Sequence, residues 1–360
     1  MEINEIKILH ITNVMDIGGV QKIIYQICEK TIDSFDKIVV MSSGGEYADK
    51  LVKIGVEHIE IPDLSSKNIQ DIMFIVKTLK NVIKKYKINV IHCHHRMAVL
   101  YAKLCSKNIK IVYNNHTIYS DKKILTHVVL KHTNIIADGV RAKANLTEYF
   151  ELPDNNITVI NNAVDDDDDV YNEIAIIQEE KKKNKFIVMN CSRLHPQKAV
   201  NYFIEAADIL VKKGLNISFF IVGDGPQRKE LEDEVNRRGL YDSIFFLGFR
   251  DDIKNTIKNA DLLVQTSIYE GLPLTPMEAF SVRRAVVGTD IEGTREVIEN
   301  GVNGLLAESK NSESIAEKIE QLYYNRDLLK KMDEQAYYTY ENYFSMNSTI
   351  KKYVEFYKQL

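Results

Sequence analysis

Glu270 and Glu278 stand with seven residues between them, in a stretch reading Tyr269-Glu270-Gly271-Leu272-Pro273-Leu274-Thr275-Pro276-Met277-Glu278. Thr275 suits a helix N-cap, Pro276 the first helical position and Glu278 the closing residue of a capping box, so a helix is expected to open at Thr275. Unpaired N–H groups and the helix dipole at such an end attract an anion, a phosphate above all. Two carboxylates beside a phosphate-binding helix end could act on a group attached to that phosphate. Two cations, Arg193 and Lys198, sit in Ser192-Arg193-Leu194-His195-Pro196-Gln197-Lys198. An arginine fork and a lysine point charge suit two bridged phosphates.

Other candidates are glycine turns and histidines. Gly18-Gly19 follows the first apolar run and precedes a helical pattern, where backbone could approach a ligand. It lacks the G-x-G-x-x-G spacing of a dinucleotide fingerprint. Gly223-Asp224-Gly225-Pro226 repeats the strand–turn–helix arrangement. His92-Cys93-His94-His95 looks like a metal cluster, but adjacent strand residues point in alternating directions. These histidines are therefore expected to be structural or solvent-exposed, and no metal site is assigned. His116, in Asn115-His116-Thr117, is a polar residue just beyond another apolar run. The aspartate run Asp165–Asp169 reads as a solvated join.

These residues hang on an alternation of strands and helices. Strands are expected at 6–12, 38–41, 88–92, 109–113, 134–137 and 158–160. A second series falls at 186–190, 217–222, 244–247, 262–265 and 285–288. Helices are expected at 20–30, 68–86, 200–212 and 228–238. This order implies parallel sheets with helices on both faces. The charged stretch 161–185 separates the two series, and the tyrosine-rich end is helical, its aromatic stripe taken as packing.

The chain has 360 residues, 45% hydrophobic, with a net charge of −4. That length suits two domains. The charge gives no strong field for nucleic acid, so no nucleic-acid partner is expected. Basic residues outnumber acidic ones over 1–165 and the reverse holds beyond. Any contact with an anionic membrane is therefore expected through the first half. Cys28, Cys93, Cys105 and Cys191 show no paired spacing, which fits a reducing compartment. The N-terminus carries Glu2, Glu5 and Lys7 and reads as a first strand rather than a signal peptide. No run of about 18 apolar residues is present. Cytoplasmic placement, peripheral to the membrane's inner face, is the expectation.

Taken together, Tyr269-Glu270-Gly271-Leu272-Pro273, Glu278-Ala279 and the strand into Thr289-Asp290 resemble the E-x7-E region of retaining glycosyltransferases of family four. The resemblance covers nearly the whole chain. It implies an α/β fold of two Rossmann-like domains facing across a cleft (GT-B), with an acceptor-binding domain at 1–165. A nucleotide-sugar-binding domain would occupy 166–345, and a helix at 346–360 would return to the first domain. It implies transfer of a sugar from a nucleotide-diphosphate sugar, UDP-linked for preference, to a glycan or lipid-linked acceptor, without cofactor or metal. His116 and Glu270 are the implied catalytic residues. Gly18, Gly19, Arg193, Lys198, Gly223, Phe249, Gly271, Leu272, Leu274, Thr275 and Glu278 are the implied donor contacts. The family usually has glycine after the lysine, where this chain has Ala199. Sugar-nucleotide epimerases share the architecture and are the alternative reading, since fold does not fix function.

Overall fold

The computed structural model describes residues 2–16, 18–106, 108–165 and 171–360. Asp166–Asp169 of the aspartate run therefore lie outside the described residues. The chain forms two compact units, Met1–Asn162 with Met346–Leu360, and Ala163–Ser345.

The first unit is built on a parallel sheet of seven strands: β1 (Lys7–Ile11), β2 (Lys37–Ser42), β3 (Glu57–Glu60), β4 (Val90–Cys93), β5 (Lys110–Asn115), β6 (Asn134–Ala137) and β7 (Ile157–Val159). Their order is β3-β2-β1-β4-β5-β6-β7. The central strands are nearly continuous runs of buried residues, as parallel strands covered on both faces must be. The edge strand β3, Glu57-His58-Ile59-Glu60, is half-buried over its first three residues, exposed at Glu60, and carries no such signature. The helix Ile69–Tyr86 starts where Asn68 accepts the Gln70 N–H. The last helix, Met346–Gln359, packs Tyr353, Phe356 and Tyr357 into this unit's core with Ile8, Ile24 and Val90.

The second unit holds six parallel strands: β8 (Phe186–Cys191), β9 (Ile217–Val222), β10 (Ile244–Gly248), β11 (Leu262–Gln265), β12 (Val286–Thr289) and β13 (Gly304–Ala307). They are ordered β10-β9-β8-β11-β12-β13. The expected solvated join at 161–185 ends in a helix, Ala175–Lys182, which buries Ile177 against β8 and lets Glu180 accept the Ser218 hydroxyl.

Both sheets reverse their strand order, between β1 and β4 and between β8 and β11. Open parallel sheets bind ligands beyond the carboxyl ends of strands at such reversals, because the loops diverge there. Gly18 and Gly19 follow β1 and His94 follows β4. Arg193 and Lys198 follow β8, and Glu270 follows β11.

Candidate active site

In the second unit the loops after β8, β9 and β11 are tied together by backbone. Leu194 N–H donates to Asp224 O at 2.9 Å, and Gln227 N–H to Leu194 O at 3.1 Å. Ile268 N–H donates to Gln197 O at 3.0 Å, and the Gln197 amide to Tyr269 O at 3.0 Å. Gly223 has φ +126°, and a Cβ there would sit 1.9 Å from Ser192 O, so only glycine allows this approach. Ala199 takes the left-handed conformation, φ 48° and ψ 45°, where glycine would be unstrained.

Around these loops lies a pocket of about 430 Å³, lined by Arg193, Gly223, Phe249, Thr275 and Glu278 among others. Five of the expected donor residues thus converge. Cys191 forms part of its wall; burial, and after it the Glu278 carboxylate, push its thiol well up. Asp224 and Arg250, the chain neighbours of Gly223 and Phe249, also line it. Arg250 is forked onto Asp252 at 2.7 Å through two nitrogens. Phe249 is 77% exposed, an apolar ring presented at the pocket's margin.

Neither Lys198 nor Glu270 lines that pocket; Glu270 is nearly buried on the loop between β11 and the helix that carries Thr275 and Glu278. Its Oε1 receives Lys198 Nζ at 2.5 Å, the Ser267 hydroxyl at 2.6 Å and the Gln265 amide at 3.3 Å. Lys198, expected to be a phosphate contact alone, is therefore also the counter-ion of Glu270. Ser267 and Gln265 escaped the sequence reading, although both are polar residues at the end of the same apolar run as Glu270. Gly293 supports the loop from below: a Cβ on it would meet Gly271 O at 2.1 Å and Glu270 O at 2.6 Å.

The helix after this loop corrects an expectation. It runs Leu274–Ser281 with Pro273 in the N-cap position and no side-chain cap. Thr275 and Glu278 are thus its second and fifth residues, and there is no capping box. Pro276 is tolerated inside the first turn because the first four helical N–H groups have no intrahelical partner anyway. The amides of the first turn remain directed at the end of the helix beside Thr275. Gly271 is exposed, while Leu272 and Leu274 pack against the unit's apolar core.

The remaining expected residues, Gly18, Gly19 and His116, belong to the first unit. Gly18 precedes the helix Gly19–Thr31 with extended backbone, and no atom crowds a Cβ placed on Gly19. His116 corrects a second expectation, for it is not a lone loop residue. Its Nε2 lies 3.0 Å from His94 Nδ1, and His94 Nε2 lies 3.0 Å from His10 Nδ1. His92 is the register partner of His10 on the neighbouring strand, and its Nδ1 is 2.7 Å from the Tyr357 hydroxyl. His10, His92 and His94 are fully or nearly buried, not solvent-exposed. The alternation argument separated His92 from Cys93 correctly but overlooked that His92 and His94 share a side. Burial pushes His10 down to about 3 and His116 to about 4. Burial, and then the neighbouring imidazoles, hold His92 and His94 well below the usual histidine range. One nitrogen from each of His10, His92 and His94 lies within 4.8 Å of the others, close enough to suggest a metal. Both His94 nitrogens are already spent on His10 and His116, however, and the His10–His94 and His94–His116 rings stack at 24° and 17° rather than converging on a point.

Residues 172–339 match the family described as glycosyl transferases group 1, and residues 17–168 match glycosyltransferase family 4. The chain is a GT-B glycosyltransferase of the family-four type. This glycosyltransferase is 34% identical over 152 residues to alpha-D-kanosaminyltransferase of Streptomyces kanamyceticus, a match spanning 42% of this chain and 39% of that protein. It is 25% identical over 335 residues to the Escherichia coli enzyme named UDP-Gal:alpha-D-GlcNAc-diphosphoundecaprenol alpha-1,3-galactosyltransferase, covering 86% of each. A crystal structure of a glycosyltransferase from Rickettsia africae ESF-5 superposes with a TM-score of 0.87 at 25% identity, covering 99% of this chain and 98% of that one. Among the described residues of the glycosyltransferase no helix is long and apolar enough to cross a membrane.

Proposed function

We propose that this glycosyltransferase moves a sugar from a UDP-sugar to a glycan or lipid-linked acceptor with retention at the anomeric carbon. The observation that carries the reading is the pocket in which Arg193, Gly223, Thr275 and Glu278 converge, in a unit whose adjoining loops hold the Lys198–Glu270 pair. Arg193, Lys198 and the first-turn amides of the helix Leu274–Ser281 neutralise the departing diphosphate, work that a metal does in other transferases. Gly271, Leu272 and Leu274 shape the approach to those amides. Phe249 offers its face to the base, and Glu278 receives the ribose hydroxyls. Glu270 accepts hydroxyls of the donor sugar and favours the positive charge that grows on its ring. His116, Gly18 and Gly19 of the first unit keep the donor roles that the resemblance gives them. The acceptor oxygen bonds the anomeric carbon on the face the diphosphate leaves, and its proton passes to a departing phosphate oxygen. The relative from E. coli, named for UDP-Gal and a diphosphoundecaprenol acceptor, supports the substrate classes.

The first unit supports the acceptor side of this reading. Ile69, Met73 and Phe74 on one helix and Ile124, Leu125 and Val128 on another are exposed. A pocket of about 470 Å³ lies near them, lined by Ile72, Leu100 and Leu125 with Lys67, Arg96 and Lys122. Apolar side chains beside cations fit the face of an anionic membrane. Vesicles of phosphatidylglycerol, but not of phosphatidylcholine, should pull the protein down.

The decisive assay combines the protein with a panel of nucleotide-diphosphate sugars and a lipid-linked acceptor extract, in excess chelator. Transfer with a retained anomeric centre is the expected result. Epimer formation without transfer, an inverted product, or activity restored only by Mn²⁺ or Mg²⁺ would each overturn a stated part of the reading.

A further inference from the structure

The chain of hydrogen bonds through His10, His94 and His116 continues to the last helix. Asn114 Nδ2 lies 3.3 Å from His116 Nδ1, and Asn114 Oδ1 lies 2.7 Å from the Tyr353 hydroxyl. Tyr353 is 2% exposed, and no second hydrogen-bond partner for its phenol occurs among the described residues. A buried hydroxyl proton left without an acceptor is costly, so the phenol donates to Asn114 Oδ1. The amide oxygen then faces Tyr353, and the NH₂ group must face His116.

A donor facing His116 Nδ1 leaves that nitrogen unprotonated, which puts the ring proton on Nε2. Nε2–H donates to His94 Nδ1, so His94 carries its proton on Nε2 and donates to His10 Nδ1. This direction leaves one buried donor unpaired, His10 Nε2–H at the far end, where the reverse would leave the Tyr353 hydroxyl unpaired; the 2.7 Å bond from Tyr353 to Asn114, and the second bond Asn114 accepts from His92, favour the direction given. One phenol thereby sets the direction of every bond in the row. Tyr357, one helical turn beyond Tyr353, bonds His92 instead, an imidazole outside the His10–His94–His116 row that meets it only through the Asn114 side chain.

We infer that Tyr353 and Asn114 are positioning residues that hold His116 in the Nε2–H tautomer, so that it meets substrate as a hydrogen-bond acceptor at Nδ1. The bond from Nδ1 to Asn114 is the longer of the two His116 makes, and so the easier to exchange for a donor-sugar hydroxyl. The inference rests on the role proposed above for His116; the assignment of the tautomer does not.

The test reads the imidazole nitrogens directly, by long-range proton–nitrogen NMR on protein labelled at histidine, with His116→Gln identifying the His116 signals. The expected wild-type spectrum has His116 protonated at Nε2. Tyr353→Phe frees the Asn114 amide to turn over, so His116 should show both tautomers, and turnover should fall about tenfold or more with the donor KM little changed. Tyr357→Phe should leave the His116 signals as they were. If Tyr353→Phe does not fold, Asn114→Asp serves: a carboxylate offers only acceptors and should draw the proton to Nδ1. His116 protonated at Nδ1 in the wild type, or unmoved in these variants, overturns the inference. A shifted tautomer with unaltered turnover upholds the positioning and overturns the proposed place of His116 in the reaction.

Discussion

The two glutamates of the E-x7-E pair differ in what holds them. Glu270 is clamped at one oxygen by Lys198, Ser267 and Gln265. Such a carboxylate costs no reorganisation when charge develops nearby, which is what an electrostatic catalyst needs. Glu278 sits on a helix and lines the pocket wall, and in the proposed reading it meets the donor equally in ground and transition states. Glu270→Gln should therefore lower turnover, on the order of 10²-fold, with the donor KM little changed. Glu278→Gln should mainly raise the donor KM. Steady-state kinetics at saturating acceptor separate the two, and the reverse pattern would refute this division. At this scale the sequence pointed to Glu270 and Glu278 through their spacing and to Arg193 and Lys198 through a separate basic stretch, and the folded unit puts Arg193 and Glu278 on one pocket. The sequence did not disclose Ser267, Gln265 or the Lys198–Glu270 pairing, because which side chain reaches which carboxylate depends on two loops that meet only in the folded unit. The histidine row was hidden for a similar reason: His10, His94 and His116 lie far apart in the chain and meet because β1, β4 and β5 are neighbours in the sheet, which no local pattern encodes.

At the level of elements, the strands and helices with a strong period were legible to the residue: Asn134–Ala137, Ile217–Val222, Leu262–Gln265 and Val200–Lys212. The missed strands, β3 and β13, are short sheet edges. Glu57-His58-Ile59-Glu60 is half-solvated, so no apolar run betrays it. The helix start at Leu274 was misplaced because a proline preceded by threonine imitates a cap, whereas Pro273, three residues earlier, already takes the N-cap conformation. Those loops are held by close backbone approach, which gives an element-scale prediction. Gly293→Ala places a methyl against the carbonyls of Glu270 and Gly271. The loop must shift, and a displacement near 1 Å at a reacting group can cost about 10²-fold. We expect turnover to drop at least tenfold, with stability falling by about 1–3 kcal/mol in urea unfolding. Wild-type turnover in a folded Gly293→Ala protein would show that the loop's position is not set there.

For the whole molecule, the row of neutral imidazoles should govern stability against acid. Above pH 6.5 these histidines are neutral whether folded or not. Below it the unfolded chain takes up protons that the folded one refuses, since burial holds His10 to about 3 and His116 to about 4. The sign is then fixed: stability is lost as pH falls from 6.5 toward 4, by up to about 1.4 kcal/mol per pH unit for each such histidine. His10→Gln should flatten that slope in thermal melts across this range, and an equal slope in both proteins would count against it. The same core is closed by the helix Met346–Gln359, which the chain makes only after the entire second unit, Ala163–Ser345. On a ribosome, the first unit must therefore wait, its buried histidines lacking Tyr353 and Tyr357, while the second unit emerges. A nascent chain arrested before residue 346 should hold a second unit able to bind nucleotide beside a first unit still open to proteases, so that the order of synthesis itself delays the arming of the enzyme.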